Sequence, residues 1–403
     1  MKQRTIQYLE DIQSKYLIGM GTKLISPDEQ IELVANQLKA TSVDVEASEH
    51  ILKRMKRAKT LSPSKYQDLV AYSQMLDAFE PLRETLIRVK LIDGDETKKQ
   101  EFDIPIFGTM QTSDFNASVR PIPNTSEHLI IFNDTLFMFS SLIINCVVLA
   151  THPDKFIPSG MGFILPEPRN LFEPTNESVL KFIDCMLILS VYGNIYKDDT
   201  YNAGELYYPM VKCMEAGFYR FIAAHEYAHF VLGHPLKKEG RLSSKEVKQY
   251  KNGELEADEL GIILAMQSML HEGHDATISS LGICLCFFSF VLEQQLKNKI
   301  AGRDEDFFMN QFYPSPLERY IGFLKVMDGR FGIPPDMYYS LHRLINFYWS
   351  QFCDSLSDIH PHHGLEEVFS EISKVRDNPD MSYKYRVHAE IFHEIKLLYS
   401  EEE

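Results

Sequence analysis

The feature that most constrains the fold is a His-Glu-x-x-His motif inside an apolar segment of helical periodicity. The segment FYRFIAAHEYAHFVLGH covers residues 218–234 and contains no proline, which predicts a buried helix. On such a helix, His225 and His229 lie about 40° apart around the axis and about 6 Å apart along it. Both imidazoles can therefore reach one metal ion. Glu226, about 100° around from His225, is placed to contact a water beside that ion.

A second acidic element supplies the further ligand that such a site needs. A catalytic zinc ion takes three protein ligands and leaves one position for water. The segment GELEADELG, residues 253–261, is expected on a second helix with Asn252 as its N-terminal cap. Its two candidate ligands, Glu254 and Glu256, point about 200° apart on a helix, so only one of them can face the histidines.

Asp258 favours Glu254 as the metal ligand. It follows Glu254 by four residues and shares its helix face, where it can accept the free N–H of a ligand histidine. Glu256 has no such companion, and with Glu259, three positions on, it makes a like-charge pair typical of a solvated face. The pattern therefore predicts a site with Glu254 as ligand and Asp258 behind it.

The other histidines are predicted to lie outside this site. His234 follows His229 by five residues, which on a continuing helix places it about 140° away, so a structural role is expected. His271 and His274 do not have the required spacing and are interpreted as surface residues. The histidine-rich turn at residues 360–363 is interpreted as a solvated loop.

HEYAH followed by ELEAD resembles the gluzincin pattern HExxH…ExxxD of the CaaX-prenyl protease and HtpX-type family, and of the Lit phage-exclusion and ImmA/IrrE-type peptidases. Upstream, residues 116–117 and the segment HLIIFNDTLF are similar to the edge strand and the strand-into-helix that precede the zinc helix in those families. Downstream, YPSPLER at residues 313–319 is similar to the His-Pro-x-x-x-x-Arg segment of the CaaX-protease type, with Tyr313 in place of the histidine. The resemblance covers residues 110–325.

The resemblance implies an α+β, zincin-like fold, with a small antiparallel sheet and two zinc-binding helices flanked by helical regions. It implies a zinc metalloendopeptidase that cleaves an intracellular protein by attack of a water held by Zn²⁺, with Glu226 as the general base. Tyr313 is expected to donate a hydrogen bond to the developing oxyanion, and Arg319 to support the site from behind. An alternative of another class is a non-proteolytic, metal-bound sensor or adaptor that retains the fold.

The composition of the chain limits the classes of partner that it is expected to bind. A formal net charge of −16, from 41 basic and 57 acidic residues, repels phosphate backbones, so nucleic acid is not expected. Six cysteines without C-x-x-C pairs indicate reduced thiols and a cytoplasmic protein. Two apolar stretches, 135–150 and 278–292, fall short of the roughly 20 residues that a spanning helix needs, so they are predicted to be core helices rather than membrane spans. A protein or peptide substrate is the expected partner. The sequence leaves the oligomeric state and the substrate open.

Because the chain shows no clear spanning helices, it is more similar to the soluble Lit-like or ImmA-like members than to the membrane-embedded ones. They suggest bacterial defence or regulated cleavage of one cellular protein. Three regions are expected along the chain: an N-terminal helical region (1–80), a gluzincin catalytic core (81–300) with an insertion (151–217), and a C-terminal helical region (301–403).

Local patterns predict several elements. Ser26 and Ser62, each followed by proline, are predicted to cap helices. The segments TLIRVKLI and EFDIPIF flank an Asp-Gly turn and predict a β-hairpin. Residues 116–120 and 128–133 predict strands, the second leading directly into a helix, and residues 151–176 predict a long connecting loop.

Overall fold

A computed structural model of the chain describes residues 2–19, 25–40, 45–90, 103–110, 115–122, 127–151, 157–159, 162–164, 171–192, 207–234, 243–300 and 313–359. The chain forms two compact units, each built from two separate stretches. The first unit contains Met1–Phe137 and Tyr219–Ser268, and the second contains Met138–Phe218 and Met269–Glu403.

The described residues are mostly helical, with one small mixed sheet and one short hairpin, which is an α+β architecture. The helices are α1 (Lys2–Gly19), α2 (Pro27–Ala40), α3 (Val45–Leu61), α4 (Leu69–Lys90), α5 (Asp134–Leu149), α6 (Asn176–Tyr192), α7 (Tyr208–Val231), α8 (Ser244–His271), α9 (Ala276–Ile300), α10 (Pro316–Phe331) and α11 (Asp336–Ile359). The strands are β1 (Ile106–Met110), β2 (Ala117–Pro121), β3 (His128–Asn133), β4 (Ile157–Ser159) and β5 (Gly162–Ile164).

The three-stranded sheet of the first unit is mixed rather than antiparallel as predicted. Its strand order is β1-β3-β2, with β1 parallel to β3 and β2 antiparallel to β3. The predicted hairpin is wrong in its first strand, because TLIRVK belongs to α4. Leu82 and Leu86 are both fully buried, and their four-residue spacing shows that the apolar face follows a helical period. Residues 91–102, which include the expected Asp-Gly turn, lie outside the described residues.

The two predicted N-terminal caps differ in whether the capping residue sets the start of a helix. The prediction at Ser26 is confirmed: its hydroxyl oxygen accepts from the Glu29 amide at 3.3 Å, and its own amide donates to the Glu29 carboxylate at 2.7 Å. The prediction at Ser62 is wrong. The next helix, α4, begins only after Asp68, whose carboxylate accepts from the Val70 and Ala71 amides at 2.9 and 3.0 Å.

Strand β3 leads directly into α5 at Asp134, as predicted from HLIIFN. The predicted loop 151–176 contains more structure than expected. Strands β4 and β5 pair antiparallel within it, and Thr151 forms a bridge with Phe172. Helix α6 begins at Asn176, where the predicted loop ends.

An aromatic cluster in the first unit fixes the part of α7 that carries the histidine motif. The Phe79 ring lies 4.8 Å from Phe107 of β1, 5.9 Å from Phe132 of β3 and 6.3 Å from Tyr227 of α7, measured between ring centroids. Tyr227 is fully buried, and burial raises the pKa of its phenol. Because Tyr227 is about 200° around the helix from His225, packing it against the sheet turns the histidine away from this cluster.

In the second unit, two glycines allow α7 and α9 to cross with their backbones in contact. A Cβ atom at Gly217 would stand 2.0 Å from the Ser279 carbonyl oxygen, and one at Gly282 would stand 2.0 Å from the Met214 carbonyl oxygen. Either methyl group would therefore force the helices apart. Glycine is required here by the close approach of the two helices.

Helix α9 is longer than the apolar stretch within it. Its 25 residues are long and apolar enough to cross a bilayer by length and composition. However, 72% of its apolar window is buried inside the protein. The core helix of a soluble protein has the same properties, so α9 gives no clear membrane span.

The cysteines form no disulfide among themselves. Four of them, Cys146, Cys185, Cys284 and Cys286, are buried. Burial raises the pKa of the Cys146, Cys185 and Cys284 thiols, which keeps them protonated and poorly reactive. They are core side chains, as expected for thiols that stay reduced.

Candidate metal centre

The motif histidines lie near the C-terminal end of α7, within the first unit. The apolar segment is helical as predicted, and α7 ends at Val231. His225 and Glu226 are buried, with 8% and 6% of their surfaces exposed, and His229 is slightly more open. Burial of polar side chains so close together is costly unless a ligand or a partner offsets it.

The acidic element lies on α8, which starts earlier than predicted. Its N-terminal cap is Ser243 and not Asn252 as predicted. The Ser243 hydroxyl oxygen accepts from the Glu246 amide at 3.3 Å, and the Ser243 amide donates to the Glu246 carboxylate at 2.8 Å. Glu254 is thus in the interior of a long helix rather than in a first turn, which gives its backbone a rigid position.

Three side chains converge at the place where the two helices meet. The Nε2 atoms of His225 and His229 are 3.2 Å apart. Glu254 Oε2 lies 3.5 Å from His225 Nε2, and Glu254 Oε1 lies 3.5 Å from His229 Nε2. One ligand atom from each of the three residues falls within 4.8 Å of the others, so the group could hold a metal ion.

These separations fit a small, four-coordinate ion. Ligand atoms about 2.0–2.2 Å from a tetrahedral zinc ion stand about 3.3–3.6 Å from one another. The two histidine Nε2 atoms are 3.2 Å apart, and each lies 3.5 Å from a different oxygen of Glu254. With one Glu254 oxygen as ligand, the three ligand atoms lie within 4.8 Å of one another, which is close enough to share one ion. Two imidazoles and one carboxylate are also a donor set that zinc accepts, with one position left for water. The residues therefore fit the metal that the sequence pattern predicts.

Asp258 lies behind His225. Its Oδ1 atom is 2.9 Å from His225 Nδ1, the ring nitrogen on the far side from Glu254, and only 3% of Asp258 is exposed. The distance suits a charge-assisted hydrogen bond, although the oxygen lies off the direction of the ring N–H bond. A carboxylate here keeps the proton on Nδ1 and leaves Nε2 with its lone pair for a metal.

Charge also favours a cation. Glu254 and Asp258 place two carboxylates against the pair of histidines, Glu226 follows His225 on the same helix, and all three acidic residues are largely shielded from water. Carboxylates crowded into a region of low dielectric repel one another. A divalent cation between the histidines would offset much of this charge.

A close approach of the two helices sets the distance between the ligands. A Cβ atom at Gly261 of α8 would stand 3.1 Å from both Cα and N of His225. The neighbouring atoms are backbone, so only a shift of a helix could relieve the contact. Gly261 follows Asp258 by three residues and lies at the point where α8 rests on α7.

Gly261→Ala is expected to weaken metal binding, because the added methyl group displaces α8 and with it both carboxylates. Gly253→Ala is the matched control on the same helix: its Cβ would meet the His234 ring at 3.5 Å, an ordinary contact. We expect zinc affinity, measured by chelator competition, to fall at least tenfold for Gly261→Ala and to change less than threefold for Gly253→Ala. Equal affinities would show that the approach at Gly261 does not set the ligand spacing.

The contacts of His234 beside the site were not predicted from the sequence. His234 does not continue the helix. Its Nδ1 lies 3.0 Å from His229 Nδ1, and its Nε2 lies 3.2 Å from Glu256 Oε2. Glu256 is 65% exposed at its side chain, as expected for a solvated face, yet it contacts a histidine from another segment. Gly233, one residue before His234, is the signal that could have indicated the helix end.

Tyr313 and Arg319, the other predicted site residues, belong to the second unit. The Arg319 guanidinium lies over the rings of Phe287 and Phe290, 5.8 and 5.4 Å from their centroids. This contact is a packing role for Arg319. A functional role for either residue stays a prediction.

Comparison with protein-family models, with curated proteins and with solved structures finds no match to this chain.

Proposed function

We propose that the chain is a zinc-dependent peptidase that hydrolyses peptide bonds within a protein substrate. The observation that carries the proposal is the convergence of His225, His229 and Glu254, whose ligand atoms lie within 4.8 Å of one another, with Glu226 next to the first ligand on the same helix. A structural zinc site would use four protein ligands. Three ligands beside a buried carboxylate suit a catalytic site better.

Zinc is the metal that the donors favour. Imidazole nitrogens bind zinc well, whereas calcium and magnesium take sets of oxygen ligands. Each histidine can present Nε2 to the ion, because the opposite ring nitrogen faces another polar group. When bound, zinc would polarise a peptide carbonyl group and lower the pKa of a water towards neutrality.

The chain's own residues would then carry the proton. Glu226 is largely buried, so its carboxylate would be shielded from bulk water. It would take a proton from the attacking water and deliver it to the leaving amine. Asp258 would hold the orientation of His225 while charge develops.

Further parts of the proposal come from resemblance and composition. The roles that the resemblance implies for Tyr313 and Arg319 stay predictions. A net charge of −16 disfavours nucleic acid as a partner, so a cytoplasmic protein is the proposed substrate.

The full chain, loaded with zinc and incubated with an unfolded protein, is expected to release internal fragments that mass spectrometry identifies. A chelator should stop cleavage, and added zinc should restore it. Cell extract treated with the active protein, compared with extract treated with chelated protein, would reveal the native target. A chain that binds zinc yet cleaves no unfolded or native protein would contradict the proposal and favour a metal-bound sensor or adaptor.

A further inference from the structure

His234 is brought back to the metal site by the way α7 ends. Gly233 adopts the left-handed conformation, with φ of 63°. The Gly233 amide donates to the Phe230 carbonyl at 3.2 Å, and the His234 amide donates to the His229 carbonyl at 3.0 Å. This pair of hydrogen bonds is the Schellman arrangement, which reverses the chain at a helix end. The His234 ring is thereby placed beside His229 instead of one and a half turns beyond it.

The His234 ring connects a metal ligand to a carboxylate. Its Nδ1 contacts His229 Nδ1 at 3.0 Å, and its Nε2 contacts Glu256 Oε2 at 3.2 Å. The side chain of His234 is 9% exposed, and its ring packs over the backbone of Gly253. His234 is therefore largely shielded from water, whereas Glu256, the carboxylate that it contacts, has a side chain that is 65% exposed.

Only one arrangement of protons in neutral rings satisfies both contacts. An ionised carboxylate accepts hydrogen bonds and donates none, so His234 Nε2 must carry the proton that faces Glu256. His234 Nδ1 is then an acceptor, and His229 Nδ1 must donate to it. His229 Nε2 is left with its lone pair, directed at the metal position.

The opposite placement of the protons would prevent metal binding. With its proton on Nε2, His229 could donate to His225 Nε2, 3.2 Å away, and occupy the lone pair that a metal needs. His234 would then present a bare Nε2 to Glu256, and two acceptors would face each other at 3.2 Å. Contact with Glu256 disfavours that state.

We propose that His234 is a positioning residue for the metal site: held by Glu256, it fixes the proton of His229 on Nδ1 and so keeps Nε2 available to the ion. The inference rests on the metal site of the proposed function. His225 and His229 are then each oriented by a carboxylate, His225 directly by Asp258 and His229 through the His234 ring. Outer partners of this kind typically change metal affinity by about 10- to 100-fold.

Three substitutions of His234 in the full chain separate this role from packing. Asparagine places an oxygen acceptor where Nδ1 lies, glutamine places its amide where Nε2 lies, and alanine keeps neither. We expect zinc affinity, by competition with a chromogenic chelator, to fall about 10- to 100-fold for His234→Ala and His234→Gln. His234→Asn should stay within about threefold of the unchanged chain, and Glu256→Gln should lose only a few-fold, because Glu256 is exposed.

His271→Ala, which removes an exposed histidine from the end of the same α8, is the matched control and should bind zinc as the unchanged chain does. The absorption spectrum of bound Co²⁺ should be altered in the alanine and glutamine variants and preserved in the asparagine variant. Equal zinc affinity in all three His234 variants, or rescue by glutamine rather than asparagine, would overturn the inference. An unchanged chain that binds zinc but cleaves nothing would overturn only the proposed peptidase. A chain that binds no metal would overturn both.

Discussion

Replacing Glu226 with glutamine is expected to remove most peptide cleavage while leaving zinc bound. Glutamine keeps the shape of the side chain but cannot accept a proton from water. A positioned general base contributes about 10²- to 10⁴-fold to a rate, so kcat/KM should fall by at least that factor. Cleavage assays on the zinc-loaded variant, with metal content measured in the same sample, would test this.

Glu259→Gln serves as the control for this experiment. It makes the same chemical change on the exposed face of α8 and should leave both cleavage and zinc content unaltered. Full activity in the Glu226→Gln protein would exclude hydrolysis by this mechanism, even if zinc is present. Loss of zinc from that protein would instead show that Glu226 supports the metal site.

The second large effect concerns the choice between the two glutamates of α8. Glu254→Ala is expected to lose zinc during dialysis, because only two protein ligands remain. Asp258→Ala should weaken zinc binding by about 10- to 100-fold, since His225 loses the carboxylate that orients it. The sequence alone predicts no effect for Glu256→Ala. The contact with His234 changes that expectation to a loss of a few-fold.

Metal analysis of the three purified variants would distinguish these cases. The result that would overturn the assignment is an empty Glu256→Ala protein beside a fully loaded Glu254→Ala protein. Circular dichroism should show an unchanged total helix content in each variant, because alanine is the best helix former.

Helical periodicity predicted the elements of the site because its key relations are local. His225 and His229 are one turn apart on one helix, and so are Glu254 and Asp258 on the next, so spacing alone placed each pair on a common face. The structure places Glu254 within 3.5 Å of both histidine Nε2 atoms. Helical spacing determined which residues share a helix face, and the packing of α7 against α8 determined where those two faces meet.

The contacts of His234 could not be read in the same way. They depend on where α7 stops, and the prediction assumed that it continued past Gly233. They also depend on a residue of another helix, Glu256, which spacing along the chain does not bring near. A relation between two helices becomes visible only when their distance and angle are known.

The sheet shows a different source of error. TLIRVK contains β-branched residues and alternates well enough to suggest a strand, yet it completes the apolar face of α4. Propensity over six residues is weak evidence against the packing of a 22-residue helix. The correctly predicted β3, in contrast, is a run of buried apolar residues that ends at a helix start.

The tight crossing at Gly261 also defines what distant relatives of this chain should look like. His-Glu-x-x-His occurs by chance in many sequences, but a side chain at Gly261 of α8 would press against the backbone of α7, and the left-handed conformation at Gly233 favours a glycine before His234. A relative that keeps this geometry should therefore read HExxHxxxGH and, further on, ExExDxxG. Those two short patterns together form a sequence signature by which such relatives can be recognised when overall identity has been lost.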